Sequence, residues 1–347
     1  MTSALLIGTY TQQVPDVDGR ADGIVSAVFD GEKVAGAEVA ARLANPSWLT
    51  ASADGSRVYA VMETAPDGGV AAFARDSAGS LTLLGTASAA GAEPDHLALD
   101  PSERFLVVGT YSGGSISVIA LDDDGALGER VAFVQHHGSG PDAVRQESPH
   151  VHQVIFDDVT GDLVVVDLGL GQVLFYGFDG DGQLARRPDA TISSGAAGPR
   201  HLAFHPDGQH AFVVNELGNT VDVLRRDGDR FERAGSASTR PADAVGVSTT
   251  AAVRVSPTGS TVFATNRGDD TIAVFSFDPV AGLTLVASEP CRGKAPRDLI
   301  VSQDARRVIV ANQDSDSVAV FAFDEDARSL EFLSLASVPT PACLRLV

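Results

Sequence analysis

Two histidines, His150 and His152, mark the first place in this sequence where side chains could carry out chemistry. Residues two apart on a β-strand point to the same side, so both imidazoles would share one surface. An imidazole acts as a general base near neutral pH or binds a metal ion. No group of Cys, Asp or Glu at ligand spacing completes a metal site here. The pair therefore predicts proton transfer without a metal or a cofactor; a buried histidine that fixes a loop is the alternative for His152.

Three further charged residues extend this chemistry: Arg200 in Gly-Pro-Arg-His, Glu216 in Val-Asn-Glu and Arg267 in Thr-Asn-Arg. Guanidinium groups hold carboxylates or phosphates and stabilise an oxyanion. A glutamate or a histidine can activate water or move a proton. The sequence has no Gly-x-Ser-x-Gly elbow and no serine in a triad context. Direct attack by water is therefore predicted, rather than an acyl-enzyme.

An internal repeat shows which elements must position these residues. Each copy has a proline, an alternating apolar run, a turn, and a second apolar run that ends in polar residues. Two more turn-plus-strand units follow, which makes four short strands in about 45–55 residues, as in propeller blades. No helical periodicity is sustained, so the fold class is all-β. The copies begin at Pro46, Pro94, Pro149, Pro199, Thr250 and Pro296.

The two ends of the chain complete a seventh blade. The N-terminal segment Ala-Leu-Leu-Ile-Gly-Thr-Tyr-Thr matches the second strand of a repeat, and the segment from Pro341 matches a first strand. Pairing these segments removes the open edges of the ring. The sequence therefore predicts a seven-bladed β-propeller of four-stranded antiparallel blades, with residues 1–347 as one domain.

In such a blade, the first strand starts at the face of the ring to which the second strand returns. The residues at these two places therefore surround one channel mouth, and many are charged or aromatic, which indicates a concave ligand site. The first strands begin with Ser47, Asp95, His150, Arg200, Ala251, Arg297 and Ala342. The second strands end with Tyr10, Glu63, Tyr111, Leu168, Glu216, Arg267 and Gln313.

His152 departs from the pattern of its repeat when the copies are aligned on their prolines. A histidine at a core position favours a functional role over a packing role. The equivalent residues are Leu49, Leu97, Leu202, Val253, Leu299 and Leu344.

Two long segments are expected on the same face. Residues 135–148 form a connection longer than the others, and long loops in compact folds are usually functional or disordered. The insert after Thr11 is either a lid or a mobile surface loop. The predicted catalytic residues are His150, His152, Arg200, Glu216 and Arg267. The predicted substrate-binding residues are Tyr10, Glu63, Tyr111, Gln146, Arg297 and Gln313.

Composition limits the partners. The 347-residue chain has a formal net charge of −21, which argues against nucleic acid and anionic membranes. No apolar stretch approaches the ~20 residues of a membrane span, and the N-terminus does not resemble a signal peptide. Two cysteines fit a reducing compartment. A soluble, cytoplasmic protein, monomeric by default, is expected, and an anionic small substrate would need a local basic cluster.

The motifs together resemble those of the seven-bladed propeller lactonases, which include bacterial propeller-type 6-phosphogluconolactonases and fungal carboxymuconate-lactonizing enzymes. The resemblance runs through nearly the whole chain and includes RQESPHVHQV, DLGLGQVLFY, GPRHLAFHPDGQHAFVVNE and VSPTGSTVFATNRGDDTIAVF. It implies attack of water on a lactone, or lactone-forming chemistry, in the central cleft. The residues it implies for that chemistry are His150, His152, Arg200, Glu216 and Arg267.

Two departures from the family pattern concern the substrate. Ala251-Ala252-Val253 stands where the family often has Ala-Glu-Ile, and Gly109-Thr110-Tyr111 stands where Ala-Asn-Tyr is usual.

The leading interpretation is a lactonase for a sugar-acid lactone, of the 6-phosphogluconolactonase kind. The alternatives are a muconate-type lactonizing isomerase, which would use the same arginines on a dicarboxylate, and a non-catalytic binding propeller. The last would be expected to carry WD or kelch signatures, which are absent.

Overall fold

Seven antiparallel sheets surround a central channel in the computed structural model, which describes residues 2–14 and 17–347. The alternating Val-, Leu- and Phe-rich runs form the strands, and Gly- and Asp-containing turns separate them, as period-2 patterning predicts. No helix in these residues is long and apolar enough to cross a membrane. The predicted fold class is confirmed.

Blade 1 combines the two ends of the chain, and blades 2 and 3 are continuous. A two-stranded hairpin, β2 (Gln13–Val14) and β3 (Val17–Asp18), projects from blade 1. From the channel outwards, blade 1 contains β31 (Pro341–Leu346), β1 (Ser3–Thr9), β4 (Gly23–Phe29) and β5 (Val34–Arg42); blade 2 contains β6 (Leu49–Ala51), β7 (Arg57–Met62), β8 (Gly69–Arg75) and β9 (Leu81–Ser88); blade 3 contains β10 (Pro94–Leu99), β11 (Phe105–Thr110), β12 (Ser115–Leu121) and β13 (Leu127–Gln135).

Blade 4 differs from the others because its outer strand is broken into two short pieces that pair with the same neighbour. Single 3₁₀ turns at Pro188–Ala190, Gly195–Ala197 and Gln313–Ser315 occur in connections. Blade 4 contains β14 (Val151–Phe156), β15 (Leu163–Asp167), β16 (Gln172–Phe178), β17 (Leu184–Arg186) and β18 (Ile192–Ser193); blade 5 contains β19 (Pro199–Phe204), β20 (His210–Asn215), β21 (Thr220–Asp227) and β22 (Arg230–Ser238). Blade 6 contains β23 (Thr249–Val255), β24 (Thr261–Arg267), β25 (Thr271–Asp278) and β26 (Gly282–Pro290); blade 7 contains β27 (Pro296–Val301), β28 (Arg307–Asn312), β29 (Ser317–Asp324) and β30 (Ser329–Ser337).

The ring closes as predicted, because the C-terminal strand β31 pairs antiparallel with β1. Leu5 lies opposite Leu346, and Ile7 lies opposite Leu344. The core is divided into clusters between neighbouring blades, and one of them joins Ile7 of blade 1 to Ile309 of blade 7. Burial of apolar surface between the first and last blades therefore stabilises the closed ring.

A β-bulge recurs at the second residue of the innermost strand and positions the channel side chains. The register shifts at Asp95, at Arg200 and at Arg297, between residues that pair regularly on either side. A bulge leaves one residue unpaired and re-aims its side chain. All three of these side chains line cavities at the channel mouth.

The register predicted for blade 4 is wrong by two residues. Val151, and not Pro149, lies opposite Asp167, as Pro199 lies opposite Asn215 in blade 5. His152 is therefore the bulge residue of its blade, equivalent to Arg200, and Val154 takes the apolar position. A shift by an even number of residues keeps the same side chains on each face of a strand. The apolar pattern alone consequently did not reveal the error.

Candidate active site

A cleft of about 610 Å³ opens at the channel mouth and is lined by side chains from blades 1 to 7 and two loops. Eight of the eleven predicted site residues line it, and Arg200 lies in the wall of a smaller cavity that shares several of the same residues. Gln146 and Gln313 do not reach the cleft. The eight are Tyr10, Glu63, Tyr111, His150, His152, Glu216, Arg267 and Arg297.

Glu216 gathers three arginines at one side of the cleft. Its Oε2 lies 3.0 Å from Nε of Arg200 and 3.0 Å from an Nη of Arg267, and its Oε1 accepts a 2.7 Å hydrogen bond from Arg145. Glu216 is only 3% exposed. Burial opposes its ionisation, but the three guanidinium groups outweigh this effect and hold its pKa well below the usual range. Glu216 is therefore a permanent carboxylate and a poor proton acceptor.

His152 and Asp95 face each other across the boundary between blades 4 and 3. Nδ1 of His152 lies 2.9 Å from Oδ2 of Asp95, but outside hydrogen-bond alignment. Burial raises the pKa of Asp95, and the nearby Glu63 raises it further. Burial also lowers the pKa of His152, as does the positive charge of Arg200. Both shifts favour the uncharged form of the residue concerned.

Arg297, Tyr10 and Glu63 form a second polar group on the opposite side of the cleft. An Nη of Arg297 donates to the Tyr10 hydroxyl at 2.6 Å, and its guanidinium lies 5.0 Å from the centre of the Tyr10 ring. The Tyr10 hydroxyl lies 2.8 Å from Oε2 of Glu63, which also accepts from Ser47. Burial raises the pKa of Glu63 against the opposing charge of Arg297. This network holds Arg297 in place beneath the cleft.

His150 lies in the wall of the cleft, but its ring is fully engaged. Tyr111 stacks on it at a centroid distance of 4.4 Å. Nδ1 lies 3.1 Å from the Tyr111 carbonyl oxygen, and Nε2 lies 3.1 Å from Oε1 of Glu147. The backbone N–H of His150 donates to Asp167 at 2.9 Å. These contacts fit a residue that shapes the wall better than one that exchanges protons.

The loop of residues 135–148 contributes Arg145, which the sequence-based set omits. Arg145 donates to Glu216 and, at 3.1 Å, to the Tyr111 hydroxyl, so it spans the cleft wall from blade 3 to blade 5. The sequence could have identified Arg145 as a site residue, because it is the first residue of the motif Arg-Gln-Glu-Ser-Pro-His-Val-His. Asp95 was likewise recognised as a member of the first ring, but its partnership with His152 depended on the corrected register.

Gln146 is wrongly placed among the predicted substrate-binding residues. Its side chain is fully buried and donates to the carbonyl oxygens of Leu168 and Gly195, while its Oε1 accepts from the backbone N–H of Asp142. It holds the loop down and thereby presents its neighbour, Arg145.

Gln313 is also absent from the cleft and lies in a neighbouring depression of about 400 Å³. Lys294 lines the same depression, and Arg267 lies in the walls of both. The depression is therefore a lateral extension of the cleft, and its walls hold the carboxylates of Asp270 and Asp314 as well as the two positive charges.

The insert after Thr11 forms the hairpin of β2 and β3, which places Val14 and Val17 in the cleft wall. Tyr10 and Val17 pack together with Ala342. The insert therefore borders the site, as expected of that face; Pro15 and Asp16 lie outside the described residues.

A small cavity of about 10 Å³ lies at the base of the cleft, with Asp95, His152 and Arg297 in the walls of both. Its volume corresponds to about one water molecule. Trp48, His96 and His201 pack together beside it; the ring of His201 lies 5.3 Å from that of His152, and the ring of His96 lies tilted at 4.2 Å from that of Trp48. His96 and His201 follow the bulge residues Asp95 and Arg200, and the sequence-based set included none of the three.

Fold and site together define a propeller enzyme class, and comparison with known proteins gives the family. The family model described as "Lactonase, 7-bladed beta-propeller" matches residues 4–346. The 6-phosphogluconolactonase of Bacillus subtilis is 32% identical over 98% of this chain and 97% of its own length. The 6-phosphogluconolactonase of Formosa agariphila is 29% identical over 88% of each chain.

Solved structures agree with these matches. The periplasmic gluconolactonase of Pseudomonas aeruginosa has a TM-score of 0.92 and 30% identity, over 100% of this chain and 99% of its own. The chain therefore belongs to the family of seven-bladed β-propeller lactonases, which confirms the family that its motifs indicated.

Proposed function

We propose that this protein is a lactone hydrolase that opens a sugar-acid lactone by direct attack of water in the central cleft. The single observation that supports this most strongly is the buried His152–Asp95 pair set between Glu216 with its three arginines on one side and Arg297 on the other. That arrangement combines a proton acceptor with an anion-binding wall, which ester hydrolysis by water requires.

In this proposal, the arginines bind the substrate. Arg200 and Arg267 share Glu216; Arg267 lines the cleft, and Arg200 lines the small cavity at its base. Guanidinium groups bind carboxylates and phosphates in charge-assisted hydrogen bonds. The same groups stabilise the oxyanion that forms when water adds to the lactone carbonyl.

Proton transfer falls to the His152–Asp95 pair. His152 accepts a proton from the attacking water as the new C–O bond forms. The tetrahedral intermediate then collapses, the ring C–O bond breaks, and the imidazolium returns the proton to the departing ring oxygen; if the Asp95 carboxyl donates instead, the imidazolium reprotonates Asp95. The product is the open-chain hydroxy acid, which releases one proton to solvent. The small cavity beside both residues is large enough for the water that begins this sequence.

Within this class, a 6-phosphogluconolactone is the substrate we favour. Three relatives bear the name 6-phosphogluconolactonase, and Lys294 lies with Arg267, Asp270 and Asp314 in the depression beside the cleft. A phosphate bound there would be held by charge and not by a buried pocket, because Lys294 is exposed.

The proposed activity is tested by hydrolysis of 6-phosphogluconolactone and of unphosphorylated gluconolactone, each measured against its spontaneous rate. Wild type, His152→Ala and the exposed-surface control His137→Ala are compared. The hydrolase proposal predicts rapid hydrolysis by wild type and by the control, and loss in His152→Ala. Equal rates for all three proteins on every lactone would remove the proposal.

The lactonizing isomerase is the second outcome that the same assay resolves. It would place a dicarboxylate on the same arginines. Turnover of a carboxymuconate, with no acceleration of lactone opening for either gluconolactone, would replace hydrolysis by this reaction.

We further infer a monomer in the cytoplasm that acts on small anionic molecules and on neither nucleic acid nor membranes. Cys291 and Cys343 are free and buried, and burial raises the pKa of the Cys291 thiol to about 11, as suits a reducing compartment. The net charge of −21 opposes self-association and binding to polyanions. Cell fractionation and sedimentation equilibrium test both inferences; a periplasmic location, as described for the Pseudomonas aeruginosa structure, is the alternative.

A further inference from the structure

A second cluster of titratable side chains lies in blade 5, in the turn between β19 and β20. It contains His205, Asp207 and His210. The turn is at the opposite end of these two strands from Arg200 and Glu216, so the cluster is remote from the cleft. Its side chains are mostly shielded, with 11% of His205, 32% of Asp207 and 9% of His210 exposed.

The three side chains converge on one point. Nδ1 of His205 lies 2.9 Å from Oδ1 of Asp207, and Nδ1 of His210 lies 2.8 Å from Oδ2. One ligand atom from each residue lies within 4.8 Å of the other two. In a tetrahedral site with bonds of about 2.0–2.2 Å, neighbouring ligand atoms lie about 3.3 Å apart. A separation of a few tenths of an ångström would therefore admit a metal ion.

The hydrogen bonds of His205 determine which of its nitrogens carries a proton. Nε2 lies 3.2 Å from the carbonyl oxygen of Gly259, which can only accept. Nδ1 in turn accepts the backbone N–H of Asp207 at 3.1 Å. Nδ1 therefore carries the lone pair of the ring, which accepts the backbone N–H of Asp207, and it lies 2.9 Å from Oδ1 of the same residue. A metal ion at this point would take that lone pair over from the backbone N–H.

Comparison with the other blades shows that this turn can form without histidines. In blades 2 and 7 the first turn residue is a serine whose hydroxyl accepts the N–H of the sixth residue, from Arg57 to Ser52 at 3.0 Å and from Arg307 to Ser302 at 2.9 Å. In blade 5 the carboxylate of Asp207 accepts the N–H of His210 instead, at 3.1 Å. His205 and His210 thus stand at positions where other blades use a serine and an arginine.

We propose that His205, Asp207 and His210 form a binding site for a divalent transition-metal ion, with Zn²⁺ as the best match. Two imidazole nitrogens and one carboxylate oxygen form a ligand set that zinc prefers, and the exposed side of Asp207 leaves room for a water as fourth ligand. The Gly259 carbonyl fixes the His205 ring through its second nitrogen, as outer partners of metal-bound histidines do. Binding requires only that His210 carry its proton on Nε2.

The contacts of the cluster with blade 6 indicate that a bound metal ion would stabilise the fold. Phe277 of blade 6 packs against both rings, at 5.2 Å from His205 and 5.1 Å from His210. His205 also reaches Gly259, in the turn of blade 6. A metal ion here would tie the turns of two neighbouring blades together. Its effect is therefore on stability and not on the reaction in the cleft.

The test uses full-length protein freed of metal by a chelator and titrated with Zn²⁺ in a calorimeter. The variants are His205→Asn, His210→Gln and, as a matched control, His137→Ala, which removes an exposed histidine outside the cluster. We expect one equivalent bound by wild type and by the control, and affinity weaker by roughly tenfold or more in each of the other variants. Excess Zn²⁺ should raise Tm by roughly 2 °C or more in wild type and in the control, and by less in the His205→Asn and His210→Gln variants.

Two outcomes would overturn the site. One is no saturable binding by wild type. The other is Zn²⁺ binding that persists unchanged in a His205→Asn/His210→Gln double variant whose Tm in chelator equals that of wild type, which would show an adventitious ion only. Lactone hydrolysis does not enter the measurement, so failure here and failure of the proposed function are separate results.

Discussion

Nδ1 of His152 lies 2.9 Å from Oδ2 of Asp95, and each residue is the bulge residue of the innermost strand of its blade. The two strands, β14 and β10, belong to neighbouring blades and do not pair with each other. The contact therefore depends on how the blades pack around the channel. Both groups are buried, and burial favours the uncharged form of each. We therefore assign proton transfer to this pair in the proposed reaction.

Replacing His152 by alanine should lower kcat for lactone hydrolysis by about 10²- to 10⁴-fold, the usual contribution of a general base. KM should change little, because the arginines that hold the substrate remain. Steady-state kinetics, corrected for spontaneous opening, measures both. His150→Gln is the matched comparison: its ring is engaged by Tyr111 and Glu147, so its kcat should fall by less than about tenfold. A larger fall in kcat in His150→Gln than in His152→Ala would instead identify His150 as the base.

Glu216→Gln should destabilise the fold and should not alter the acid limb of the pH–rate profile. The substitution leaves the buried Arg200 and its neighbours without their counter-charge, which costs about 3–5 kcal/mol. Urea denaturation gives the free energy of unfolding. Removing one repelling charge as well, in Glu216→Gln/Arg145→Ala, should cost less than the sum of the single changes. A stable Glu216→Gln protein with a lost kcat would instead make Glu216 the base.

Stability should fall as the pH drops below about 6.5, the value for an unperturbed histidine. Burial lowers the pKa of His96, His152 and His201 in the folded protein. Below that pH the unfolded chain binds protons that the folded chain does not, so the free energy of unfolding decreases, by up to about 1.4 kcal/mol per pH unit for each histidine. It is regained as the pH rises back to that value.

His96→Phe provides the check, since phenylalanine keeps a ring against Trp48 and cannot titrate. Its free energy of unfolding, measured from pH 7 to pH 5, should depend less steeply on pH than that of wild type. His137→Ala, at an exposed site, should keep the wild-type slope. An unchanged slope in His96→Phe would show that His96 is not among the groups responsible.

Lys294→Ala should raise KM for 6-phosphogluconolactone by roughly two- to fivefold, as expected for an exposed charge pair, and should leave KM for the unphosphorylated lactone unchanged. The chain has only one other lysine, Lys33, and Lys33→Ala is the charge-matched control. The difference should shrink as ionic strength increases. An equal change in KM for both lactones would show that the phosphate does not bind in this depression.

Most of the architecture could be predicted from the repeat alone. The blades, the closure of the ring through Leu344 and Ile7, and the ring of strand ends that includes Glu216 and Arg267 all follow from period-2 patterning and turn residues, which act locally. Family motifs then pointed to a lactonase. The error in blade 4 arose because a shift of two residues preserves the alternation of faces, so His152 was compared with leucines when its true counterpart is Arg200.

The amino-acid sequence by itself determined the fold, the face of the ring that carries the site, and most of the side chains that meet there. Only the tertiary structure decided which of these side chains pair with one another and which are free to contact a ligand. Glu216 is paired with three arginines that hold its pKa low, His150 is covered by Tyr111, the buried Gln146 holds its loop in place, and Arg145 enters from a connection. Protonation and pairing depend on burial and on contacts between blades distant in sequence, and no local pattern records either.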